Sequence, residues 1–288
     1  MNLLQLEKYF HQRLKANYPD SEIENFFFWT LEEILGIQRI DFVLQKNNAV
    51  DYQNIDRIKK VIQRLRNEEP IQYIFGSTEF YGLLFNVSTD TLIPRPETEE
   101  LVEWIIETVK QDEYLSSLSE LRILDIGTGT GCIAITLTKL IPSANTTAVD
   151  ISKNALTVAE SNSALNEVNV HFVISNVLEL SSLENEFDII VSNPPYVRNS
   201  EKIEIKNNVL KYEPDTALFV EDNDPLLFYR KIGKLSLESL NPNGYLFFEI
   251  NQYLGKEMVD LLSDLGYQHI ELRKDVFGND RMTRCQLS

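Results

Sequence analysis

An apolar run, Asp188-Ile189-Ile190-Val191-Ser192, passes directly into Asn193-Pro194-Pro195-Tyr196. Neither proline can donate an N–H. Each also pushes the residue before it toward an extended backbone. The Asn193 side chain and the Pro194 carbonyl are therefore expected to stand as rigid acceptors aimed at one spot. A planar amide or amine nitrogen suits such a pair. Its NH2 group has two donors, and its delocalised lone pair makes it a poor nucleophile until it is oriented and polarised. Asn193 and Pro194 would accept both hydrogens and raise the electron density on nitrogen. Tyr196 would pack against the flat face of the group. Catalysis of this kind is positioning and electrostatics. Asn193, Pro194 and Tyr196 are the candidate catalytic residues, and Pro195 completes the substrate-binding loop. The bland alternative is a proline turn that merely ends a strand.

A second cluster is Ile123-Leu124-Asp125-Ile126-Gly127-Thr128-Gly129-Thr130-Gly131-Cys132, read as a buried strand, a glycine turn and a helix start. Glycine lets the backbone turn sharply and approach a ligand. The helix start offers free N–H groups. A dinucleotide site needs G-x-G-x-x-G. Here Cys132 fills the third glycine position and Gly131 comes one residue early, so pyrophosphate fits poorly. Asp-x-Gly-x-Gly-x-Gly after an apolar strand instead resembles motif I of class I methyltransferases, whose loop holds the amino-acid end and ribose of S-adenosylmethionine. Asp150 follows Gly131 by 19 residues at the end of the next apolar strand. A carboxylate there can accept from both ribose hydroxyls. The resemblance implies Gly127, Thr128, Gly129, Thr130, Gly131 and Asp150 as cofactor-binding residues. It places Asn176 and Val177 at the adenine and Asn193 near the transferred methyl. In the family the adenine position often carries an acid and then an aromatic residue. Asn176 can still pair with the base, whereas Val177 cannot stack on it. The methyl donor brings its own activation, so no strong general base is required.

These loops need a frame. Strands are predicted at 122–126, 145–149, 170–174, 187–192 and 245–250, mostly separated by helical stretches. That alternation is the signature of an α/β, doubly wound, mostly parallel sheet. Candidate strands at 268–273 and 283–287 would add an antiparallel edge pair, for seven strands in all. Residues 1–69 read as a small helical bundle. Leu3, Leu6, Phe10 and Leu14 recur at helical spacing, as do Tyr52, Ile55, Ile58, Ile62 and Leu65. Ser21 and Glu24 are placed as a capping box for a helix carrying Phe27, Trp29, Leu31 and Leu35, stopped by Gly36. The aromatic run 26–29 reads as core rather than as a partner surface. Residues 70–95 alternate apolar and polar residues and carry Gly76 and Gly82, so they read as a linking β-hairpin. Residues 96–288 form the catalytic domain. The loop Pro94-Arg95-Pro96-Glu97-Thr98-Glu99 is either a lid over the cofactor or a proline-stiffened linker. Glu213 sits where a substrate-recognition loop would lie. Glu249 ends a buried strand and could serve either structure or the site.

Composition narrows the partners. With 27 basic against 44 acidic residues, the net charge is -17. Tight non-specific nucleic-acid binding, which rests on Lys and Arg neutralising phosphates, is not expected. A partner with a basic surface fits better, although the charge alone could serve solubility. Only two cysteines and three scattered histidines occur, so neither a disulfide framework nor a zinc site is expected. No run approaches the ~20 apolar residues of a membrane span, and the N-terminus lacks a signal-peptide core. The expectation is a cytoplasmic protein.

Across nearly the whole chain the arrangement resembles the release-factor glutamine methyltransferase family. The resemblance rests on the helical N-terminal region, the hairpin, Ile93 to Glu99, the glycine loop and Ser192 to Tyr196. Tyr212-Glu213-Pro214, Ala217-Leu218, Phe228-Tyr229-Arg230 and Gly244 to Glu249 continue it. The first 68 residues match in helical character only. The resemblance implies methylation, from S-adenosylmethionine, of the glutamine in the Gly-Gly-Gln tripeptide of class I peptide chain release factors. The product would be N5-methylglutamine, and the N-terminal helices would help to dock the release factor. A monomer is implied, with no metal, membrane or direct nucleic-acid partner. Asn-Pro-Pro-Tyr also resembles the loop of adenine-N6 methyltransferases acting on DNA or RNA. A glutamine methyltransferase acting on a ribosomal protein would share it too.

Overall fold

The computed structural model describes residues 1–287. In chain order the first elements are α1 (Leu3–Leu14), α2 (Asp20–Leu35), α3 (Arg39–Gln45), α4 (Tyr52–Arg66) and α5 (Ile71–Phe75). There follow β1 (Ser77–Phe80), β2 (Leu83–Asn86), α6 (Pro96–Gln111), α7 (Glu113–Ser117), β3 (Leu121–Ile126), α8 (Cys132–Leu140), β4 (Ala144–Asp150), α9 (Lys153–Leu165) and β5 (His171–Ile174). Next are β6 (Phe187–Ser192), β7 (Val197–Arg198), α10 (Asn207–Tyr212), α11 (Asp215–Leu218) and β8 (Phe219–Val220). The chain ends with α12 (Leu227–Ser239), β9 (Leu240–Glu249), α13 (Gly255–Asp264), β10 (Gln268–Lys274) and β11 (Asp280–Gln286). Two compact units result: residues 1–76 with 206–212, and residues 77–205 with those from 213 onward.

The first unit is helical. Leu3, Leu6, Phe10 and Leu14 of α1 are buried together with Phe27, Leu31, Ile58, Ile62 and Leu65. Phe27 meets Phe10 edge-on at 5.6 Å, and Phe26, Phe28 and Trp29 pack around this core. Two local expectations change. The start of α2 lies at Asp20 after Pro19, with no side-chain cap, so Ser21 and Glu24 fall inside the helix. A capping box is formed instead at α1, where Asn2 accepts from the Gln5 amide and Gln5 reaches back to Asn2. Tyr52 opens α4 but stays exposed, because it precedes the first inward turn at Ile58. Gly36 does stop α2, at φ 66°, a left-handed conformation that costs glycine little.

Residues 71–75 form α5 rather than the start of a strand, and the hairpin is confined to β1 and β2. Pro70 precedes α5 and Gly76 closes it at φ 75°, the usual order for a short helix.

The second unit is built on a sheet of order β10-β11-β9-β6-β3-β4-β5. Strands β5, β4, β3, β6 and β9 run parallel, while β11 and β10 close one side as an antiparallel pair. Both faces are covered, which is why the strands read as continuous apolar runs. Ile123, Ile189, Val191 and Phe247 pack on one side with Trp104, Ile105 and Leu137. Their neighbours Leu124, Ile190, Leu246 and Phe248 pack on the other with Tyr229, Met258 and Leu262. The strand β9 begins five residues earlier than its apolar run suggests. Gly244 permits this: a Cβ there would lie 2.9 Å from the Asp188 carbonyl oxygen. No helix among the described residues is long and apolar enough to cross a membrane.

Gly131 makes the turn from β3 into α8 at φ 81°, and a Cβ there would meet Ile135 Cδ1 at 2.8 Å and Ala159 Cβ at 3.2 Å. Gly131→Ala is expected to cost about 1–3 kcal/mol, the range for over-packing a filled interior, measured by chemical denaturation. Unchanged stability would mean that α8 and α9 pack less closely.

Candidate active site

The glycine loop, the Asp150 turn, the Asn176 turn and the Asn-Pro-Pro-Tyr loop each leave a carboxyl end of a parallel strand. Register fixes this: Ile126 pairs with Val149 and Ser192, Asp150 with Ile174, and Ser192 with Phe248. Chain order also reverses here, since β3 continues to β4 on one side and β6 returns on the other. Such a switch point opens a crevice. A cavity of about 400 Å³ occupies it.

The glycine loop forms one wall. Gly127, Gly129 and Gly131 all have positive φ. The amides of Gly127 and Thr128 donate to the Val149 carbonyl at 2.8 and 3.1 Å, so the loop is pinned across the end of β4. Thr128 Oγ1 donates to Asp125 Oδ2 at 2.6 Å. Asn162, buried in α9, donates to the Thr130 carbonyl at 2.9 Å. Asp150 Oδ2 accepts the Gly129 amide at 2.9 Å and Oδ1 accepts the Ser152 amide at 2.8 Å. Each oxygen keeps capacity for one further donor, as a pair of ribose hydroxyls would supply. A Cβ on Gly129 would meet nothing within 4 Å. The backbone therefore leaves open space where a ligand can approach it. These features fit the cofactor expected from the sequence.

Gly127, Thr128, Gly129, Thr130, Asp150, Asn176, Val177, Asn193, Pro194 and Pro195 all line this one cavity. Two expected residues do not. Gly131 lies behind the loop against Ile135 and Ala159. The Tyr196 hydroxyl donates to Glu249 Oε1 at 3.1 Å, on the protein side of the loop. The Asn176 side chain is committed locally: it accepts the Leu178 amide at 3.1 Å and donates to Glu179 at 2.8 Å. Its turn brings Val177 to the wall, where Ile151 and Phe228 add apolar surface.

The partners of several residues named from the sequence were not legible there. Asn193 Nδ2 donates to Thr98 Oγ1 at 3.3 Å, and Thr98 Oγ1 donates to Glu249 Oε2 at 2.6 Å. Burial pushes the Glu249 carboxyl above the ordinary carboxylate value, while the Thr98 and Tyr196 hydroxyls pull it back. Burial also raises the Tyr196 phenol, which keeps it a donor. Arg95 pairs with Glu213 at 2.6 Å, and Glu213 Oε2 accepts the Ile93 amide at 3.4 Å. The proline loop and the segment after β6 are thereby joined beside the cavity, and both line it. The sequence signal for Thr98 was its place beside prolines at a helix start, but pairing across 95 residues leaves no local trace. Among the described residues no three His, Cys, Asp or Glu side chains cluster to hold a metal ion.

Comparison with known proteins agrees with this geometry. Residues 105–215 match the methyltransferase small domain, and residues 5–76 match the PrmC N-terminal domain. A release factor glutamine methyltransferase of Flavobacterium psychrophilum is 53% identical, covering 96% of this chain and 95% of its own. One of Bacteroides thetaiotaomicron is 41% identical, covering 95% and 96%. Among solved structures, a methyltransferase of Pyrococcus furiosus aligns with a TM-score of 0.52 at 19% identity, over 79% of this chain and 98% of that one. The human methyltransferase 10 domain containing protein aligns at 0.52 and 16%, over 78% and 94%. At such identities these structures speak to the fold alone. The fold is that of a methyltransferase, and the matched family model agrees. Within that class, the chain belongs to the release factor glutamine methyltransferase family.

Asp125 lies fully buried beneath the glycine loop, and burial raises its carboxyl to about 7 despite the Thr128 hydrogen bond. A raised acid contributes its full stability below its unfolded value and loses it as pH climbs to the folded one. Asp125→Asn should therefore gain on the wild type as pH rises from 5 to 8, read as the difference in melting temperature. A difference that stays constant across that range would contradict the raised value.

Proposed function

We propose that this chain transfers a methyl group from S-adenosylmethionine to the side-chain amide nitrogen of the glutamine in the Gly-Gly-Gln motif of class I release factors, giving N5-methylglutamine. One observation carries the chemistry: among the described residues, Asn193 Oδ1 and the Pro194 carbonyl take no hydrogen bond, and both residues line the cavity that Asp150 and Gly129 enter from the other side. Two acceptors at one spot suit an NH2 group, which has two donors. Holding both hydrogens aligns the nitrogen and raises its electron density. S-adenosylmethionine would supply an activated methyl on sulfur, and as the N–C bond replaces the S–C bond one of the two amide hydrogens would leave as a proton to solvent. What the chain supplies is orientation, an apolar wall from Val177, Ile151 and Phe228, and fixed dipoles. Gly127 to Thr130 and Asp150 hold the cofactor in this reading. The turn at Asn176 presents Val177 to its base. Gly131 sets the backbone bend. Tyr196 fixes the exit of the loop through its hydroxyl rather than flanking the substrate.

The naming of the relatives supports the release factor as substrate. The helical unit suits docking, since Ile40, Val43 and Leu44 on α3 are exposed while Phe42 is buried. The net charge of -17 suits a basic protein surface better than nucleic acid. The enzyme acts as a monomer in the cytoplasm, where release factors work.

Transfer of labelled methyl to purified release factor tests this reading. Label is expected on the intact factor, with none on its Gln→Ala tripeptide variant or on adenine-containing DNA. Asn193→Ala enzyme should lose on the order of 100-fold or more in kcat. Label on a ribosomal protein or on DNA, with none on the release factor, would overturn the assigned substrate.

A further inference from the structure

Behind Asn193 lies a buried chain of groups that the proposed chemistry does not itself use. Thr98, in the first turn of α6, is 2% exposed, and Glu249, at the end of β9, is 1% exposed. Two hydroxyls converge on this one carboxylate: Thr98 Oγ1 at 2.6 Å and Tyr196 at 3.1 Å. In its ionised form, which the Thr98 and Tyr196 hydroxyls favour against burial, the Glu249 carboxylate can only accept. Both hydroxyl hydrogens must then turn toward Glu249, and the Thr98 oxygen presents only lone pairs to its other neighbour. That neighbour is the Asn193 amide, at 3.3 Å. A lone pair admits the NH2 end of an amide and repels the C=O end. The direction of the whole chain is thus set by its buried, acceptor-only terminus.

We propose that Thr98, turned by Glu249, is a positioning residue that fixes which way the Asn193 amide faces, and so makes the site an acceptor of substrate N–H groups. With the NH2 end held, Asn193 Oδ1 is left toward the cavity beside the Pro194 carbonyl. The opposite orientation would offer the substrate a donor where its nitrogen needs an acceptor. It would favour a carboxylate or carbonyl oxygen there. Glutamine is therefore selected over glutamate by a residue that acts through Asn193. This rests on the reading above that Asn193 Oδ1 receives the substrate amide.

A tie between α6 and β9 would explain the same hydrogen bonds without any directional role. Burying a carboxylate without a dedicated cation is an expensive way to make such a tie. The nearby cation, Arg281, is engaged by Asp275 at 3.2 Å and by the Ile250 carbonyl at 3.4 Å.

The test uses full-length enzyme with Thr98→Val, Thr98→Ser and Asn193→Ala, measuring kcat and KM for release factor, affinity for S-adenosylhomocysteine, and melting temperature. Thr98→Val keeps the shape and removes the oriented lone pair. Its kcat should fall on the order of 10- to 100-fold, as misplacement of a reacting group does. KM and product affinity should stay within about twofold, a range too small to account for such a loss. Thr98→Ser should restore kcat to within about threefold, since the hydroxyl is all that the role requires. Wild-type kcat in Thr98→Val, beside an inactive Asn193→Ala, overturns the relay and leaves the site reading standing. An active Asn193→Ala removes both. Failure of Thr98→Ser to restore kcat also overturns the relay. Should Thr98→Val not fold, the wild-type enzyme answers through the side-chain amide of Asn193 in NMR. One hydrogen shielded from solvent exchange is expected, and equal, fast exchange of both overturns the proposal.

Discussion

Parallel pairing of β5, β4, β3, β6 and β9 brings five chain exits to one edge of one sheet. Everything chemical in the protein depends on that register. A slip of one residue would turn each strand's buried side chains to the wrong face. It would also move Asp150, Asn193 and Glu249 out of line with the glycine loop. The two apolar layers hold the register from opposite sides. Ile189 and Val191 face one, and Ile190 faces the other. The site is thus precise because its frame has no free choice of alignment.

Three acids around the cavity find their partners within that frame. Asp150 accepts two backbone amides, Glu213 meets Arg95 and the Ile93 amide, and Glu249 accepts two hydroxyls. An unpaired polar group in such surroundings costs free energy comparable to a lost hydrogen bond, or more when charged. Each of these acids therefore constrains the loops that supply its partners. Arg95 and Thr98 hold the proline loop to the second half of the sheet, as α6 begins. Tyr196 and Asn251 hold the segment that follows the catalytic turn, with Asn251 donating to the Tyr196 carbonyl at 3.0 Å. The cavity walls are rigid for the same reason that the acids are tolerable.

The sequence made the parallel strands, the glycine loop and the Asn-Pro-Pro-Tyr turn legible, because each is local. Apolar runs, positive-φ glycines and prolines act within a few residues. The antiparallel pair at the chain end was legible on the same ground. What escaped depends on pairing between distant segments. Thr98 looked like part of a linker because its partners, Asn193 and Glu249, are far away in the chain. Glu249 looked ambiguous until both of its donors were in place. Residues 71–75 alternate well enough for a strand, yet flanking Pro70 and Gly76 close them into a helix. Ser21 and Glu24 have cap spacing, but Pro19 already starts the helix one residue before them. Asn176 has the chemistry to contact a base. Its oxygen and nitrogen each make one hydrogen bond within its own turn and each keeps capacity for another.

The chemistry depends on the acceptor pair of Asn193 and Pro194. Its most direct test is a crystal structure of the enzyme with S-adenosylhomocysteine and a peptide carrying Gly-Gly-Gln. The glutamine nitrogen should lie within hydrogen-bond distance of both Asn193 Oδ1 and the Pro194 carbonyl, facing the cofactor sulfur, with Asn193 Nδ2 still on Thr98. A glutamine seated by its carbonyl oxygen on Asn193, or placed away from the Asn-Pro-Pro-Tyr turn, would contradict the account.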